Sequence, residues 1–317
     1  MAEIGKDIAK AAELLENSEL VAIPTETVYG LAGNALNPAS VSEIFRVKER
    51  PAFDPLIVHT NSMDRISEFT SEMPEAAKKL AQELWPGPLT LILPRKENIP
   101  YLTTSGLETV GVRIPDHPLT LELLSQLDFP LAAPSANPFG YISPTQPSHV
   151  EDQLGEKIPY ILDGGECRVG IESTIVGFED AMPVVYRMGG VEIEVLREII
   201  GELRVEKTSS SNPKSPGMLK SHYAPVKKVR IGSIQKMIGE HKPEEISIIA
   251  FDRFYEEVPA EQQFILSKDS DLSEAAQNLF KALRTLDQNQ TEIIITELVP
   301  DRGLGRAIND RLRRASK

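Results

Sequence analysis

The sequence predicts an α/β protein with two domains, and three observations support this prediction. The chain has 317 residues, which is enough for about two domains. Short β-rich runs and helical stretches are mixed over residues 1–203, as expected for an α/β domain around one twisted sheet. Residues 204–226 have the Ser- and Pro-rich composition of a linker. Strands then alternate with helices over 227–317, which predicts a small parallel sheet in the second domain.

Apolar spacing and capping residues predict the elements of the first domain. Apolar residues at helical spacing predict a helix over 4–15. Asn37 and Pro38 form an N-cap followed by proline at the first helical position, and Pro51 prevents that helix from continuing far beyond Glu49. The other expected elements are helices at 75–84 and 119–127 and strands at 20–24, 56–58, 89–93, 110–114, 131–133, 160–162, 174–176 and 184–186.

The second domain is predicted in the same way. Its expected elements are strands at 229–231, 246–251, 264–266 and 293–295 and helices ending near 241, at 272–286 and from about 304. The last helix carries a basic cluster of Arg306, Arg311, Arg313, Arg314 and Lys317. This cluster could contact a partner protein or tRNA, although a basic face exposed to solvent is the simpler interpretation.

The composition is that of a soluble globular protein, with 41% hydrophobic and 26% charged residues. No apolar run approaches the roughly 18 residues that a membrane-spanning helix needs, and the N-terminus lacks the pattern of a signal peptide. Cys167 is the only cysteine, which excludes an internal disulfide and a Cys-rich zinc site. These features predict a cytoplasmic protein.

The charge is distributed unevenly between the two halves of the chain. Residues 1–203 contain 15 basic and 31 acidic side chains, a net charge of −16, whereas residues 204–317 contain 19 and 16, a net charge of +3. A strongly negative surface repels nucleic acid, because such binding depends on Lys and Arg displacing counterions. The first domain is therefore not expected to bind nucleic acids in general, and it needs a pocket of clustered cations to bind an anion.

The segment 24–31 (PTETVYGL) follows a buried strand and precedes a helix. Ligands bind at strand ends in α/β sheets. The hydroxyls of Thr25 and Thr27, together with the close backbone approach that Gly30 permits, therefore suit a small polar ligand. The alternative is a strand-to-helix turn in which the threonines cap backbone amides. The segment 85–90 (WPGPLT) is interpreted as a structural turn entering a strand.

A basic pair, Lys48 and Arg50, lies at the end of the helix that begins at Pro38. The two cations can converge on one anion, the arginine through a bidentate fork. Asp54 and His59 flank the next strand and add a carboxylate and an imidazole to the same rim. A solvated helix end is the alternative for the pair, and His59 could equally be a hydrogen-bonded core residue.

Other polar side chains follow later strands. Thr109 and Arg113 have the same parity and therefore share one face of their strand, with Val110, Val112 and Ile114 facing the core. Polar side chains at further strand ends are Ser135, Asn137, Ser173 and Arg187. No segment matches a Walker phosphate-binding loop or a GxGxxG motif. Clustered cations in a domain of charge −16 suit a small polyanion such as a nucleoside triphosphate.

The complete set of motifs resembles the threonylcarbamoyl-AMP synthase family, the YrdC-like proteins, in the longer two-domain form. Eight blocks match in order: PTETVYGL (24–31), KxR (48–50), DPLIVH (54–59), WPGPLTLIL (85–93), TVGVRIPDH (109–117), PSAN (134–137), GIESTIV (170–176) and RMG (187–189). The linker sequence SPGMLKSHYAP (215–225) is similar to that of the long form. The resemblance implies a YrdC-like twisted mixed sheet with flanking helices and a small Rossmann-like C-terminal domain.

The resemblance also implies a reaction. L-Threonine and bicarbonate give N-carboxythreonine, whose new carboxylate attacks the α-phosphate of ATP and releases pyrophosphate, leaving threonylcarbamoyl-AMP. Mg²⁺ is the implied cofactor and is bound mainly through the ATP phosphates, so no protein metal ligand is assigned. Proteins of a threonylcarbamoyl-transferase complex would then modify an adenosine beside the tRNA anticodon, which makes tRNA an indirect partner.

The resemblance assigns roles to individual residues. Adenylyl transfer adds negative charge around the α-phosphate, and Lys48, Arg50 and Arg113 are the cations expected to act there as catalytic residues. The implied ATP contacts are Arg50, Asp54, Thr109, Ser135, Asn137, Ser143, Arg187 and Tyr223. The implied threonine contacts are Thr27, His59, Arg113, the backbone of Ala133, and Ser173. Through Tyr223 the linker would act as a lid over ATP, and the alternative is an ordinary interdomain tether.

Two points remain open at this level. Family members often carry asparagine where this chain has Asp54, and a carboxylate there repels phosphate unless Mg²⁺ bridges the two. The base that deprotonates the threonine amine is not assigned, although His59 is a candidate.

Two other functions compete with this one. A YrdC-like fold could bind double-stranded RNA or tRNA without catalysis, against which the charge of −16 argues. A carbamoyl-transfer domain of the hydrogenase-maturation type would need Cys-rich zinc motifs, which one cysteine cannot supply.

Overall fold

The computed structural model describes residues 1–206 and 223–317, and these residues form two compact units. The described parts of the first unit are 1–139, 144–168 and 172–206, and those of the second are 140–143, 169–171 and 223–317. Residues 207–222 of the expected linker lie outside the described residues.

The first unit is built on a mixed sheet that has eleven strands within the described residues. The strands are β1 (Glu3–Gly5), β2 (Val21–Ile23), β3 (Gly30–Asn34), β4 (Ile57–His59), β5 (Leu89–Pro94), β6 (Thr109–Arg113), β7 (Leu131–Ala132), β8 (Tyr160–Leu162), β9 (Thr174–Glu179), β10 (Met182–Arg187) and β11 (Arg204–Val205). Their order is β1-β8-β2-β3-β7-β4-β6-β5-β9-β10-β11. Because β11 pairs with β10, the sheet continues past residue 203, where the linker was expected to begin.

Helices flank this sheet, as the sequence predicts. They are α1 (Ile8–Glu16), α2 (Pro38–Lys48), α3 (Met63–Phe69), α4 (Glu75–Leu84), α5 (Pro118–Gln126), α6 (Pro147–Leu154) and α7 (Ile193–Ile200). The expected cap of α2 is present, since Oδ1 of Asn37 accepts a 2.9 Å hydrogen bond from the amide of Ala39. The helix stops at Lys48, after which Glu49 adopts the left-handed conformation with φ 55°. This ending places Lys48 and Arg50 at the helix C-terminus.

Two expectations near the N-terminus are wrong. Ile4 lies in β1 and not in a helix, and residues 30–34 form β3. The segment 24–31 therefore joins two antiparallel strands rather than a strand and a helix. The sequence of β3, GLAGN, gave little strand signal because glycine, alanine and asparagine are depleted in strands. Packing favours a small residue at this position, since a Cβ at Gly33 would lie 2.8 Å from Cδ2 of Leu20 and 3.2 Å from Cδ1 of Ile44 on α2.

The two faces of the sheet differ along β4, β5 and β6. One face packs into the main core, to which β6 contributes Val110 and Val112 as expected. By alternation, Thr109 and Arg113 point from the opposite face. The same face carries a small apolar cluster that includes Ile57 and Ile175. This second face positions the candidate site.

The second unit is a small parallel-sheet domain, which confirms the prediction for this part of the chain. Its elements are β12 (Lys228–Ile231), α8 (Ile234–Ile238), β13 (Ile246–Ala250), β14 (Gln263–Ile265), α9 (Leu272–Asp287), β15 (Ile293–Thr296) and α10 (Gly305–Ala315). The strand order is β12-β15-β13-β14, and the pairs are parallel. No helix in the described part of the chain is long and apolar enough to cross a membrane.

The interpretation of α10 as a solvated basic helix is wrong for two of its arginines. Arg311 is 0% exposed and Arg314 is 3% exposed. Nε of Arg314 lies 2.9 Å from Oδ2 of Asp310, and the Arg311 guanidinium lies 5.4 Å from the ring centroid of Tyr223. These two arginines are therefore part of the packing of the second unit, whereas Arg313 is exposed.

Candidate active site

The four cations predicted for the anion site are all buried in the first unit. Lys48 is 1% exposed, Arg50 9%, Arg113 4% and Arg187 7%. Lys and Arg are almost never buried this deeply unless they are paired. The partners of each cation therefore define the site.

Lys48 connects the end of α2 to the loop 134–137. Its Nζ donates hydrogen bonds to the backbone carbonyls of Ser135 and Asn137. On its other side this loop forms a β-bridge with the start of β3, between Ser135 and Gly30. The approach is close enough to require glycine, since a Cβ at Gly30 would lie 3.1 Å from that of Ala133. Lys48, Ser135 and Asn137 are thus brought together as predicted.

Arg50 and Asp54 form a buried ion pair, with 2.9 Å between Nη2 and Oδ2. Arg50 also donates to the backbone carbonyls of Asp54 and Pro55, both at 2.9 Å. Burial raises the pKa of Asp54, while the charges of Arg50, Lys48 and Arg187 act in the opposite direction. Burial also holds the pKa of Lys48 well below its usual value. Asp54 is therefore the carboxylate of a cationic cluster.

Arg187, at the end of β10, holds Ser173 just before β9. Its Nε donates to the Ser173 carbonyl and its Nη2 to the Ser173 hydroxyl, both at 3.1 Å. The same hydroxyl lies 2.7 Å from Oγ1 of Thr90 on β5. The antiparallel register of β5 and β6 places Thr90 beside Arg113. Thr90 therefore helps to hold the Ser173 hydroxyl, which Arg187 also contacts.

Arg113 pairs with a residue that sequence reasoning missed, Glu26. Nη2 of Arg113 lies 2.7 Å from Oε1 of Glu26, and Glu26 is only 1% exposed. Nε of Arg113 donates to the carbonyl of Gly87 at 3.3 Å. The available signal was a charged residue directly after a buried strand, because Glu is rarely buried without a partner.

His59 lies beside Arg113, because β4 and β6 pair in parallel with these two residues opposite each other. Its Nδ1 is 3.2 Å from the Ile57 carbonyl. Burial and the charge of Arg113 lower the pKa of His59 to about 3. His59 is therefore neutral at physiological pH. It is suited to hydrogen bonding but poorly suited to removing a proton from an ammonium group.

This pKa predicts how the protein responds to acid. The imidazole of His59 should not titrate between pH 8 and 5 in the folded protein, whereas in the unfolded chain it titrates near 6.5. The unfolded state then binds more protons between pH 6.5 and 3, so the free energy of unfolding decreases as the pH falls through that window. NMR titration of the His59 ring checks this, and a midpoint near 6.5 in the folded protein would contradict it.

The segment 24–31 contains both a structural and a candidate binding threonine. Thr25 Oγ1 donates to the Val28 carbonyl at 2.6 Å and accepts from the amide of Thr27 at 3.1 Å. The capping alternative is therefore correct for Thr25. Oγ1 of Thr27 lies 2.8 Å from that of Thr25, which holds the hydroxyl in place. On the neighbouring strand, the Ala133 amide donates to the Ile57 carbonyl at 3.1 Å.

Thr109 lies at the other end of β6 from Arg113, about 13 Å away for four residues of extended strand. It lines a cavity of about 500 Å³ together with Ile92, Phe178 and Tyr186. The structure therefore does not place Thr109 directly beside Arg113, and its predicted contact with ATP stays a prediction.

Two further predicted ATP contacts, Ser143 and Tyr223, belong to the second unit. Ser143 is fully buried, and its carbonyl accepts a 3.4 Å hydrogen bond from Nε of Arg284. Tyr223 is 1% exposed, has φ 65°, and packs its ring 5.4 Å from that of Phe280. Both contacts with ATP stay predictions.

The arrangement has two chemical parts. Lys48, Arg50 and Arg187 surround Asp54 and suit a phosphate chain. Arg113 provides a guanidinium for a carboxylate, beside the carboxylate of Glu26. Within residues 1–206 and 223–317, no group of three or more His, Cys, Asp or Glu side chains is placed to hold a metal ion.

Comparison with known proteins decides the family. A Sua5/YciO/YrdC family model, described as telomere recombination, matches residues 13–189, and a model for the C-terminal domain of threonylcarbamoyl-AMP synthase matches 191–317. The chain is 41% identical over 321 residues to threonylcarbamoyl-AMP synthase from Pyrococcus abyssi, covering 96% of this chain and 93% of that protein. The chain belongs to the threonylcarbamoyl-AMP synthase family. The predicted family is thus confirmed.

Other members of the threonylcarbamoyl-AMP synthase family agree with this result. The Bacillus subtilis protein of that name is also 41% identical, over 98% of this chain and 92% of its own. The crystal structure of P. abyssi Sua5 complexed with L-threonine is similar with a TM-score of 0.92 at 39% identity, covering 100% of this chain and 97% of that one. The predicted α/β fold with its second parallel sheet is therefore that of a solved member of the family.

Proposed function

We propose that this protein is an L-threonylcarbamoyladenylate synthase that uses L-threonine, bicarbonate and ATP and releases pyrophosphate. The observation that carries the proposal is the burial of Lys48, Arg50, Arg113 and Arg187 in a unit with a large negative charge. Buried cations are costly, so four of them in one acidic unit, two at the end of α2 and two at the ends of β6 and β10, favour an anionic ligand over a structural role. The relatives named above support the same reaction.

The chemistry of the proposed reaction requires positioning and charge stabilisation. N-Carboxythreonine supplies the attacking carboxylate, so the protein needs no covalent nucleophile. Negative charge increases around the α-phosphate as the new bond forms, and preorganised cations stabilise that charge. Lys48, Arg50 and Arg187 are suited to this role. Arg113, Thr27 and His59 would hold threonine beside them.

Magnesium enters the proposal as the counter-ion of the ATP phosphates. Mg²⁺ usually keeps several waters and binds phosphates with one or two carboxylates. Asp54 fits such a role, because its Oδ1 accepts no hydrogen bond within the described residues, its Oδ2 is held in the ion pair with Arg50, and it lies among the cations that suit phosphate. Asp54 would then hold the ion while Arg50 holds Asp54. The threonylcarbamoyl group would pass to tRNA through proteins of a transferase complex.

The experiment that tests this function measures pyrophosphate release from ATP with each substrate omitted in turn. We expect release to require threonine and bicarbonate together. Release that is independent of either substrate would contradict the proposal. Salt-sensitive RNA binding without any turnover would favour the competing role as an RNA-binding module.

The proposed contact of Tyr223 with ATP can be tested separately. We expect Tyr223→Ala to weaken ATP binding without changing the affinity for threonine, since the family resemblance places this side chain at the nucleotide. Tyr223→Phe is the matched control, because it keeps the ring that packs on Phe280. Isothermal titration of ATP and of threonine measures both affinities. Unchanged ATP binding and unchanged synthesis in the alanine variant would remove the lid hypothesis.

A further inference from the structure

The Arg113–Glu26 pair has unused hydrogen-bonding capacity on both sides. The 2.7 Å contact between Nη2 and Oε1 is an ion pair but not a well-directed hydrogen bond. Within the described residues, neither carboxylate oxygen of Glu26 accepts a hydrogen bond, and Nη2 of Arg113 donates none. A buried charged pair in this state needs an explanation, and a bound ligand of matching charge supplies one.

The missing ligand must have two charges of opposite sign close together. A guanidinium with a free donor binds a carboxylate, and a carboxylate with free acceptors binds an ammonium group. In the zwitterion of an α-amino acid, the ammonium group and the carboxylate are attached to the same α-carbon. The pair is therefore a receptor for an amino-acid zwitterion, with Arg113 facing its carboxylate and Glu26 facing its amine.

A second observation concerns proton removal. In the proposed reaction the amine must lose a proton before it attacks bicarbonate. Several elements bring titratable groups close to Glu26. Arg113 lies on β6, with His59 of β4 beside it. The remaining groups are Asp116 and His117 before α5, and Glu166, Cys167 and Arg168 in the loop before β9. Burial lowers the pKa of both His59 and His117 and raises the pKa of the Cys167 thiol. Glu26 is singled out by its position, because it is the carboxylate paired with Arg113 and its oxygens accept no hydrogen bond within the described residues. The guanidinium groups of Arg113 and Arg168 have donors only and offer no acceptor atom.

Glu26 also lines a cavity, although the residue itself is buried. The cavity has a volume of about 270 Å³ and is also lined by Thr25, Asp116, His117 and Arg168. Asp116 is 44% exposed at its side chain, so the cavity reaches the surface. A polar cavity of this size has room for water molecules that carry a proton outward.

We propose that Glu26 binds the α-ammonium group of threonine and accepts its proton, which makes Glu26 the general base of N-carboxylation. This inference rests on the proposed function. The ammonium nitrogen loses one proton to Glu26, giving a neutral amine and a carboxylic acid. The amine nitrogen then forms a bond to the carbon of bicarbonate, and the hydroxyl of bicarbonate leaves as water with the second nitrogen proton. The proton on Glu26 returns to solvent through the cavity.

The test is the pH dependence of Glu26→Gln, which keeps the size of the side chain but removes its basicity. At neutral pH we expect synthesis to fall by at least about 100-fold, as for loss of a general base. The ratio of variant to wild-type activity should then rise about tenfold per pH unit towards the pKa of free threonine, because solution supplies the neutral amine that the variant cannot make. Taking the ratio at each pH cancels the change in the bicarbonate supply.

Two further variants keep the test decisive. Glu26→Asp retains the carboxylate, so we expect it to restore the wild-type pH profile at a lower rate. Glu122→Gln removes a carboxylate from an exposed position on α5 and should match the wild type. A Glu26→Gln deficit that is constant across pH, or no deficit, would overturn the role of Glu26 while leaving the proposed function intact. A wild-type protein that makes no adenylate would overturn the proposed function itself.

Discussion

At limiting threonine we expect Arg113→Ala to lose synthesis by roughly 100- to 1,000-fold, the effect of truncating one partner of a buried charge pair between protein and ligand. Arg113 is the cation beside both His59 and Glu26, so its removal takes away the group that would bind the threonine carboxylate. The loss should appear as a weaker affinity for threonine with ATP affinity retained. Steady-state kinetics with titration of each substrate measure the difference.

This substitution also leaves the Glu26 charge buried without its partner, which costs about 3–5 kcal/mol of the free energy of unfolding. The double variant Arg113→Ala/Glu26→Gln removes that charge, so it should recover thermal stability but not synthesis. Arg197→Ala, at an exposed position on α7, is the matched control for loss of one arginine. Full turnover in folded Arg113→Ala would contradict the placement of threonine at this residue.

The second large effect is expected for Lys48→Met, which keeps a buried aliphatic chain and removes the ammonium group. Lys48 is the fully buried cation nearest the loop 134–137, and it also acts on Asp54. We expect synthesis to fall by about 100- to 1,000-fold, because charge developing on the α-phosphate loses a preorganised hydrogen-bond donor. In contrast to Arg113→Ala, threonine affinity should be retained.

Equilibrium binding of ATP and of threonine to folded Lys48→Met separates the two parts of the site. Lys79→Met, at an exposed position on α4, controls for the loss of one lysine. Loss of threonine affinity with normal ATP binding in Lys48→Met would show that the two parts have been assigned the wrong way round.

The sequence predicted those parts of the site that depend on periodicity and strand ends. Arg113 and Thr109 share a face because strand parity is a local property, and Asn37 caps α2 because capping is local as well. The family resemblance supplied the residue roles, and the structure brings Lys48, Arg50, Asp54 and Arg187 together as one charged cluster.

The features that could not be predicted depend on contacts distant in sequence. The pairing of Glu26 could be recognised only from the fold, which places Arg113 of β6 within 2.7 Å of it. The contact of Thr90 likewise depends on the fold, because Ser173, just before β9, lies 2.7 Å away. β3 was missed because small residues have weak strand propensity. Packing against α2 favours small residues at this place. Arg311 was taken as solvated because its ring partner Tyr223 is 88 residues away in the chain.

The most direct test of the account is mass spectrometry of the products formed from ATP, L-threonine, Mg²⁺ and ¹³C-bicarbonate. We predict an adenylate that contains threonine and a single carbon from bicarbonate, in amounts equal to the pyrophosphate released. An adenylate of threonine without the labelled carbon, or pyrophosphate release with no such adenylate, would contradict the account.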